Sequence, residues 1–129
     1  MFTLEKTYTF EAGHSLVHHD GKCRRPHGHS YILTVILSDQ DLVDSGPKTN
    51  MVCDFDDISA VVKPMIKEFL DHHWLNDTLD TDSPTAEYIC RWIYLYLKDK
   101  LPLLQSVSLN ETATSKVTYT EKIRFLRDD

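Results

Sequence analysis

The chain has 129 residues, of which 41% are apolar and 26% charged, and its formal net charge is −6. This composition predicts one soluble folded domain over residues 1–129 and excludes a disordered chain. No apolar run approaches the roughly 20 residues of a membrane span, and the acidic balance argues against a general nucleic-acid binder. The N-terminus lacks signal-peptide features and three cysteines make an odd count, so we expect a cytoplasmic protein.

Two strands are predicted in the N-terminal part of the chain. Residues 2–14 alternate between apolar and polar side chains, which is the pattern of a strand with one buried face. After a polar loop, the same alternation predicts a second strand over about residues 27–37. Residues 38–50 are rich in Asp, Ser and Gly and predict a loop or hairpin, and a short strand is predicted at 51–53.

Two amphipathic helices are predicted in the middle of the chain. Asp54 is in the position of a helix N-cap, and apolar residues then recur at helical spacing as far as Phe69. Pro64 lies inside this pattern and predicts a kink or a restart. A second helix is predicted to begin at Ser83–Pro84, a cap followed by a first-turn proline, and to end before Pro102.

The C-terminal part predicts two more strands. Residues 107–111 alternate, a turn is predicted near Thr114, and residues 117–119 return on the other side of that turn. The element order is therefore β-β-α-α-β-β. This order predicts an α+β fold in which helices cover one face of an antiparallel sheet.

Histidines continue the apolar face of both N-terminal strands. His27 and His29 are two residues apart, so their side chains leave the same side of a strand and can converge on one ion. His14 has the parity of the apolar residues in the preceding strand, and pairing of the two strands would bring it to the same end. Three neutral imidazoles with an open fourth position are typical of a catalytic zinc site. The alternative is that these are ordinary strand histidines with satisfied hydrogen bonds.

One cysteine stands apart from the other two. Cys23 lies four residues before His27 and is surrounded by basic residues, namely Lys22, Arg24 and Arg25. Nearby cations favour the thiolate, so Cys23 is a candidate base or nucleophile, and the alternative is a small, partly buried residue. Cys53 and Cys90 lie within apolar patterns and fit that packing role better.

Carboxylates accompany two other segments. Asp71 and His72 place a carboxylate beside an imidazole, as proton transfer requires, although His73 could replace His72 and a solvated helix end would look the same. Glu111 has the parity of apolar strand residues, so it is expected to face the buried side and to need a partner with N–H donors. The alternative is that the strand ends before Glu111 and leaves this side chain in solvent.

Taken together, these motifs resemble the family of 6-pyruvoyltetrahydropterin and 6-carboxytetrahydropterin synthases. The resemblance covers nearly the whole chain and rests on separated motifs in family order: Phe10 to His14, Cys23 to Tyr31, Asp54-Phe55, Leu70 to Asn76, Pro84 to Glu87, and Glu111-Thr112. It implies a Zn²⁺ site formed by His14, His27 and His29, and a catalytic base at Cys23. It also implies that Asp71 and His72 form a proton-transfer pair and that Glu111 binds the pterin ring.

The resemblance further implies a tunnelling fold, a four-stranded antiparallel sheet with two helices on one face. Such chains form trimers that pair as homohexamers, with active sites between subunits. The three residues between Cys23 and His27 look like the carboxy-forming branch, which converts 7,8-dihydroneopterin triphosphate to 6-carboxytetrahydropterin, acetaldehyde and triphosphate for queuosine biosynthesis. Two alternatives remain, namely a pyruvoyl-forming synthase that eliminates triphosphate and a non-catalytic pterin- or metal-binding protein. Lys22, Arg24 and Arg25 are candidates to meet the triphosphate charge.

Overall fold

A four-stranded antiparallel sheet forms the framework of the protein. The computed structural model describes residues 1–121, and the sheet has the strand order β1-β2-β3-β4. The strands are β1 Phe2–His14, β2 His27–Asp39, β3 Leu104–Thr112 and β4 Ser115–Tyr119. The predicted α+β class and all four of these strands are confirmed, with β2 and β3 longer than the alternation indicated.

Strands β1 and β2 pair along their whole length. The register runs without a shift from Phe2 opposite Asp39 to His14 opposite His27. Alternate positions of both strands are buried, and at the centre of the sheet Phe10 stacks on Tyr31 with ring centroids 4.8 Å apart. The two strands therefore end together, and the last residues on their buried face are histidines.

The first helix changes type shortly after its proline. Helix α1 spans Phe55–Met65 and is capped by Asp54, whose side chain accepts a hydrogen bond from the Asp56 N–H at 2.9 Å. A π-helical turn over Ile66–Leu70 follows directly, and the interruption predicted at Pro64 has this form. Pro64 has no N–H to continue the α-helical ladder, and π turns occur frequently at functional sites.

Two further helices complete the layer over the sheet. The short helix α2 spans Leu75–Thr78 and was not predicted, whereas α3 spans Ala86–Leu97 and contacts β3 and β4. The core forms between these helices and the sheet, from fully buried residues such as Ile58, Leu75 and Ile93. Within residues 1–121, no helix has the length and hydrophobicity that crossing a membrane would require.

Two boundary predictions are wrong. Residues 51–53 do not form a strand. They follow a loop that folds back on its own start, where the Met51 carbonyl accepts a hydrogen bond from the Val43 N–H at 2.9 Å. Helix α3 begins at Ala86, not at Ser83–Pro84, since the Thr85 hydroxyl accepts the Tyr88 N–H at 3.1 Å and acts as the cap.

Candidate metal centre and active site

Three histidines meet at the common end of β1 and β2. The strand register places His14 opposite His27 and Ala12 opposite His29, all on the helix-covered side of the sheet. One ring nitrogen from each histidine lies within 4.8 Å of the others, and ring centroids are separated by 4.5 to 5.1 Å. The convergence expected from the spacing is present. These three side chains are therefore arranged to hold a metal ion.

Backbone carbonyls select the tautomer of two of the rings. His14 Nδ1 lies 2.8 Å from the Pro84 carbonyl and His27 Nδ1 lies 2.7 Å from the Arg25 carbonyl. A carbonyl only accepts hydrogen bonds, so both Nδ1 atoms carry the proton and both Nε2 atoms offer a lone pair. Burial lowers the pKa of His14, which also favours the neutral ring. Metal-binding histidines have this arrangement.

Two inward-facing nitrogens of this cluster make no hydrogen bond within residues 1–121. Among the described residues, the buried Nε2 atoms of His14 and His29 make no hydrogen bond. An unpaired buried polar atom is costly, and a group of lone pairs in one place is stabilised by a cation. The residues present therefore fit a bound metal ion.

Glu111 faces the same cluster from β3. It lies at a register shift between Asn110 and Thr112, and its side chain is 28% exposed. Its two carboxylate oxygens lie 3.9 Å from His14 Nε2 and 3.9 Å from His29 Nε2, which is too long for a hydrogen bond. The alternative in which the strand ends before Glu111 is wrong, and the carboxylate lies beside the histidines.

Cys23 borders a cleft that reaches the histidines. It is half-buried in a short 3₁₀ turn over Lys22–Arg24, and the cleft of about 340 Å³ is lined by Cys23, His27 and His29 together with basic side chains of the turn. This position is compatible with a base or nucleophile that works next to a metal site. The exposed Arg24 and the neighbouring cations line an adjoining surface cleft together with Asp20.

The other two cysteines pack inside the protein. Cys90 is fully buried, its thiol donates a hydrogen bond to the Val107 carbonyl at 3.1 Å, and burial raises its pKa to about 12. Cys53 is half-buried and packs against the core next to the start of α1. Both cysteines are therefore in the packing environment predicted for them.

The segment that carries Asp71 and His72 is attached to the outer edge of β1. The His72 N–H donates to the Glu11 carbonyl at 2.6 Å, and the Gly13 N–H donates to the His73 carbonyl at 3.2 Å. Asp71 accepts the Glu11 N–H through Oδ1 at 2.9 Å and lies 2.9 Å from His72 Nδ1 through Oδ2. The Glu11 N–H and, to a smaller extent, His72 lower the pKa of Asp71, which stays ionised.

The two neighbouring histidines differ in what they contact. His73 Nε2 is held by the Lys67 carbonyl at 3.0 Å, whereas His72 pairs with Asp71 and is 78% exposed. His72 has a left-handed backbone with φ of 60°, which is unusual for a residue with a side chain. The geometry therefore favours His72 over His73 as the imidazole of a proton-transfer pair.

Within one chain, the structure does not unite all the predicted site residues. His72 borders a cleft of about 430 Å³ that is lined by Glu11, Gly28, His29 and Ser30 among others. Cys23 borders the other cleft, which His29 also lines. The histidine cluster and Glu111 are assembled by the single chain, whereas His72 and Cys23 line different clefts.

The sequence did not predict the groups that orient His14 and fix the end of β1 through hydrogen bonds. The Pro84 carbonyl orients His14, and Asn76 clamps the end of β1 by accepting the Ser15 N–H at 2.9 Å and donating to the Ser15 carbonyl at 2.8 Å. Both residues lie in motifs that carry the family resemblance, but their partners are more than 60 positions away. His18 and His19 lie outside β1 and β2, near the side chains of Asp82 and Asp20 respectively.

Comparisons with known proteins agree with this geometry. A family model described as 6-pyruvoyl tetrahydropterin synthase matches residues 3–122. The 6-carboxy-5,6,7,8-tetrahydropterin synthase of Synechocystis sp. is 44% identical over 120 residues, which cover 92% of this chain and 93% of that protein. The protein of the same name from Haemophilus influenzae is 37% identical, with 94% and 100% covered. The solved 6-pyruvoyl tetrahydropterin synthase of Caenorhabditis elegans superposes with a TM-score of 0.78 at 25% identity, covering 94% of this chain and 96% of that one.

Proposed function

Because the chain belongs to the 6-pyruvoyl tetrahydropterin synthase family and is a lyase, we propose that it is a zinc-dependent 6-carboxy-5,6,7,8-tetrahydropterin synthase. Its substrates would be 7,8-dihydroneopterin triphosphate and one water molecule, and its products 6-carboxytetrahydropterin, acetaldehyde and triphosphate. We place this reaction in queuosine biosynthesis. The observation that carries the proposal is the group of three histidine nitrogens beside Glu111.

The metal-binding part of the proposal rests on His14, His27 and His29. Three neutral imidazoles with an open position suit Zn²⁺. When bound there, Zn²⁺ would supply Lewis-acid polarisation of the side-chain oxygens of the substrate. The carbonyls of Pro84 and Arg25 hold two of the rings in the tautomer that leaves Nε2 available.

Cys23 and the Asp71–His72 pair would move the protons. Cys23 borders the cleft next to His27 and His29, where its thiolate would take a proton from the side chain of the substrate. Asp71 accepts the Nδ1 proton of His72, so Nε2 of His72 is the atom that would exchange a proton with the substrate. Such positioned acids and bases contribute roughly 10²- to 10⁴-fold each.

Glu111 would recognise the pterin ring. A carboxylate accepts two parallel hydrogen bonds, and the amino group and adjacent ring N–H of a pterin offer two such donors. Its position beside the histidines would bring the side chain of the bound substrate close to the metal site. The neighbouring clefts are lined by basic side chains, namely Lys22, Arg24 and Arg25. Their positive charge would attract the triphosphate of the substrate.

The active form would be a homohexamer, a dimer of trimers with active sites between subunits, in which residues 1–129 form one domain. The separate clefts of Cys23 and His72 support this assembly, since a second copy could bring His72 of one chain to Cys23 of another. The two edge strands, β1 and β4, also support it, because joining sheets edge to edge satisfies open backbone groups.

Two observations favour the carboxy-forming reaction over the pyruvoyl-forming one. The three residues between Cys23 and His27 resemble the spacing of the carboxy-forming branch. The relatives from Synechocystis sp. and Haemophilus influenzae, which are similar over nearly the whole chain, are named as carboxy-forming enzymes.

Product analysis tests the proposal. The purified, zinc-loaded protein is incubated with 7,8-dihydroneopterin triphosphate, and we expect acetaldehyde and triphosphate in equal amounts. Triphosphate without acetaldehyde would assign the pyruvoyl-forming reaction instead. Pterin binding without any turnover would indicate a binding protein. The Cys23→Ala variant is the matched control, because it should lose turnover and keep its metal.

A further inference from the structure

Tyr31 carries a buried hydroxyl at the edge of the histidine cluster. It lies on β2 two residues after His29, is 0% exposed, and its ring lies edge-on to His29 with centroids 5.5 Å apart. Its other face stacks on Phe10. Packing against Phe10 and His29 therefore explains why an aromatic ring is present at this position, but it does not explain the hydroxyl.

Among the described residues, the Tyr31 hydroxyl has no hydrogen-bond partner. Leaving a buried hydroxyl unpaired costs roughly 1–3 kcal/mol, and a phenylalanine would fill the same space without that cost. The other two groups left unpaired in the same way are His14 Nε2 and His29 Nε2, which belong to the metal centre. The hydroxyl therefore belongs to the same incomplete polar site.

Glu111 lies beside the same two histidines that the ring of Tyr31 contacts, since Tyr31 is edge-on to both His14 and His29. The phenol of Tyr31 offers an O–H donor beside these histidines, and the carboxylate of Glu111 offers acceptor positions there. The carboxylate oxygens are 3.9 Å from the histidine nitrogens and make no hydrogen bond to them. A carboxylate has about four acceptor positions, which is enough for two N–H donors of a ligand and one phenol.

We propose that Tyr31 is a positioning residue, whose hydroxyl donates a hydrogen bond to the Glu111 carboxylate when a pterin ring occupies the site. This bond fixes the plane of the carboxylate, so that its free lone pairs meet the N–H donors of the ring. The inference rests on the proposed function, because it takes Glu111 as the group that binds the pterin.

A binding measurement tests the role of Tyr31 without relying on turnover. The probe is neopterin, a fluorescent oxidised pterin, titrated into the full-length protein in its metal-free and zinc-loaded forms. We expect Tyr31→Phe to weaken binding about tenfold or more, as loss of a hydrogen bond to a charged group would do. Metal content should stay at the value of the unchanged protein, and the Tm of the ligand-free protein should not fall, since phenylalanine keeps the ring packing and removes an unpaired hydroxyl.

Tyr8→Phe is the matched control. Tyr8 is a buried tyrosine on the neighbouring strand, and its hydroxyl bonds to Ser59 Oγ at 2.8 Å. This variant loses a hydroxyl from the same sheet and should bind neopterin with unchanged affinity. Equal weakening in both variants would mean that the effect is a general loss of packing, and would overturn the proposal.

The combination with Glu111→Gln tests whether Tyr31 acts through Glu111. We expect Tyr31→Phe to cost little or no additional affinity in a protein that already carries Glu111→Gln. An unchanged affinity in the single Tyr31→Phe variant, or the same loss in both backgrounds, would overturn the role of Tyr31 and leave the proposed function intact. If the unchanged protein does not bind neopterin, the assignment of a pterin site fails together with this inference.

Discussion

The two halves of the candidate active site are built in opposite ways. His14, His27 and His29 lie on the buried face of two fully paired strands, and backbone carbonyls orient the rings of His14 and His27. Asp71 and His72 lie in a short exposed segment at the outer edge of β1. The three histidines of the first half come together within one chain. In the second half, the imidazole of His72 is exposed to solvent.

This difference predicts which part of the site would depend on the proposed assembly. A metal centre needs its ligand atoms at fixed separations, and the regular register of a β-ladder supplies these without help from another chain. A proton-transfer pair also has to meet the substrate, and His72 is 78% exposed in the single chain. We therefore expect metal binding to survive changes that abolish turnover in the second half of the site.

The largest effect is expected from His27→Ala. Bound metal should fall from about one equivalent to below about 0.1, since losing a ligand exceeds the roughly 10- to 100-fold affinity cost of losing an outer partner. Turnover should fall roughly a thousandfold or more. His18→Ala is the control, because His18 is an exposed residue near Asp82 and should keep both properties. Metal analysis of the purified proteins checks this, and an active His27→Ala protein without metal would contradict it.

His72→Ala should separate catalysis from metal binding. We expect kcat to fall roughly 10²- to 10⁴-fold, because a positioned proton donor is lost. Metal content should not change, and the free energy of unfolding should change by less than about 0.5 kcal/mol, since the side chain is exposed. His73→Ala provides the contrast and should retain most of its kcat. A larger loss of kcat in His73→Ala than in His72→Ala would reverse the assignment of the imidazole.

A smaller effect is expected from the cap of α3, which supports the metal end from a distance. Thr85→Ala should lower the free energy of unfolding by about 1 kcal/mol, because the Tyr88 N–H loses its acceptor. Pro84, whose carbonyl orients His14, comes immediately before this cap, so metal affinity should also fall slightly. Ser83→Ala is the matched control and should leave stability unchanged in urea unfolding. Equal losses in the two variants would mean that Thr85 does not act as the cap.

The smallest effect concerns acid stability at the edge of β1. The pKa of Asp71 in the folded protein lies below its ordinary value. The contacts of the ionised carboxylate therefore stabilise the folded protein at pH values above the pKa that Asp71 has in the unfolded chain. This stabilisation is lost as the pH falls through the pKa of Asp71 in the folded protein. Because the side chain is 38% exposed, the contribution should be under about 1 kcal/mol. Asp71→Asn should therefore lose less stability than the unchanged protein between about pH 5 and about pH 3. Parallel urea-unfolding curves at both pH values would detect this, and an identical acid loss in the two proteins would exclude it.

Local patterns were sufficient for much of the fold and for the convergence of the histidines. Period-two alternation predicted the strands, and it placed His27 and His29 on one side without any knowledge of the sheet. The start of α3 was misplaced, because Ser83 and Thr85 are both acceptable caps and only the contact to Tyr88 distinguishes them. The local sequence does not show which of these two side chains makes that hydrogen bond.

The relation between the two halves of the site could not be read from the sequence in the same way. The partner of His14 is the carbonyl of Pro84, 70 positions away, and carbonyls leave no signal in a residue pattern. Cys23 and His72 each carry recognisable chemistry, but their separation into different clefts follows from how the segment after the π turn attaches to β1. Tertiary packing decides this, and no spacing along the chain encodes it.

Co-assembly of two inactive variants tests the central claim most directly, namely that the metal half belongs to one chain and the proton-transfer half to its neighbour. Cys23→Ala and His72→Ala proteins are co-expressed or refolded together in equal amounts and assayed for acetaldehyde. If each site takes Cys23 from one chain and His72 from the next, roughly one quarter of the sites are intact, and about a quarter of the unchanged activity should return. If the mixture stays as inactive as its two parents, both residues act within one chain and the account is contradicted.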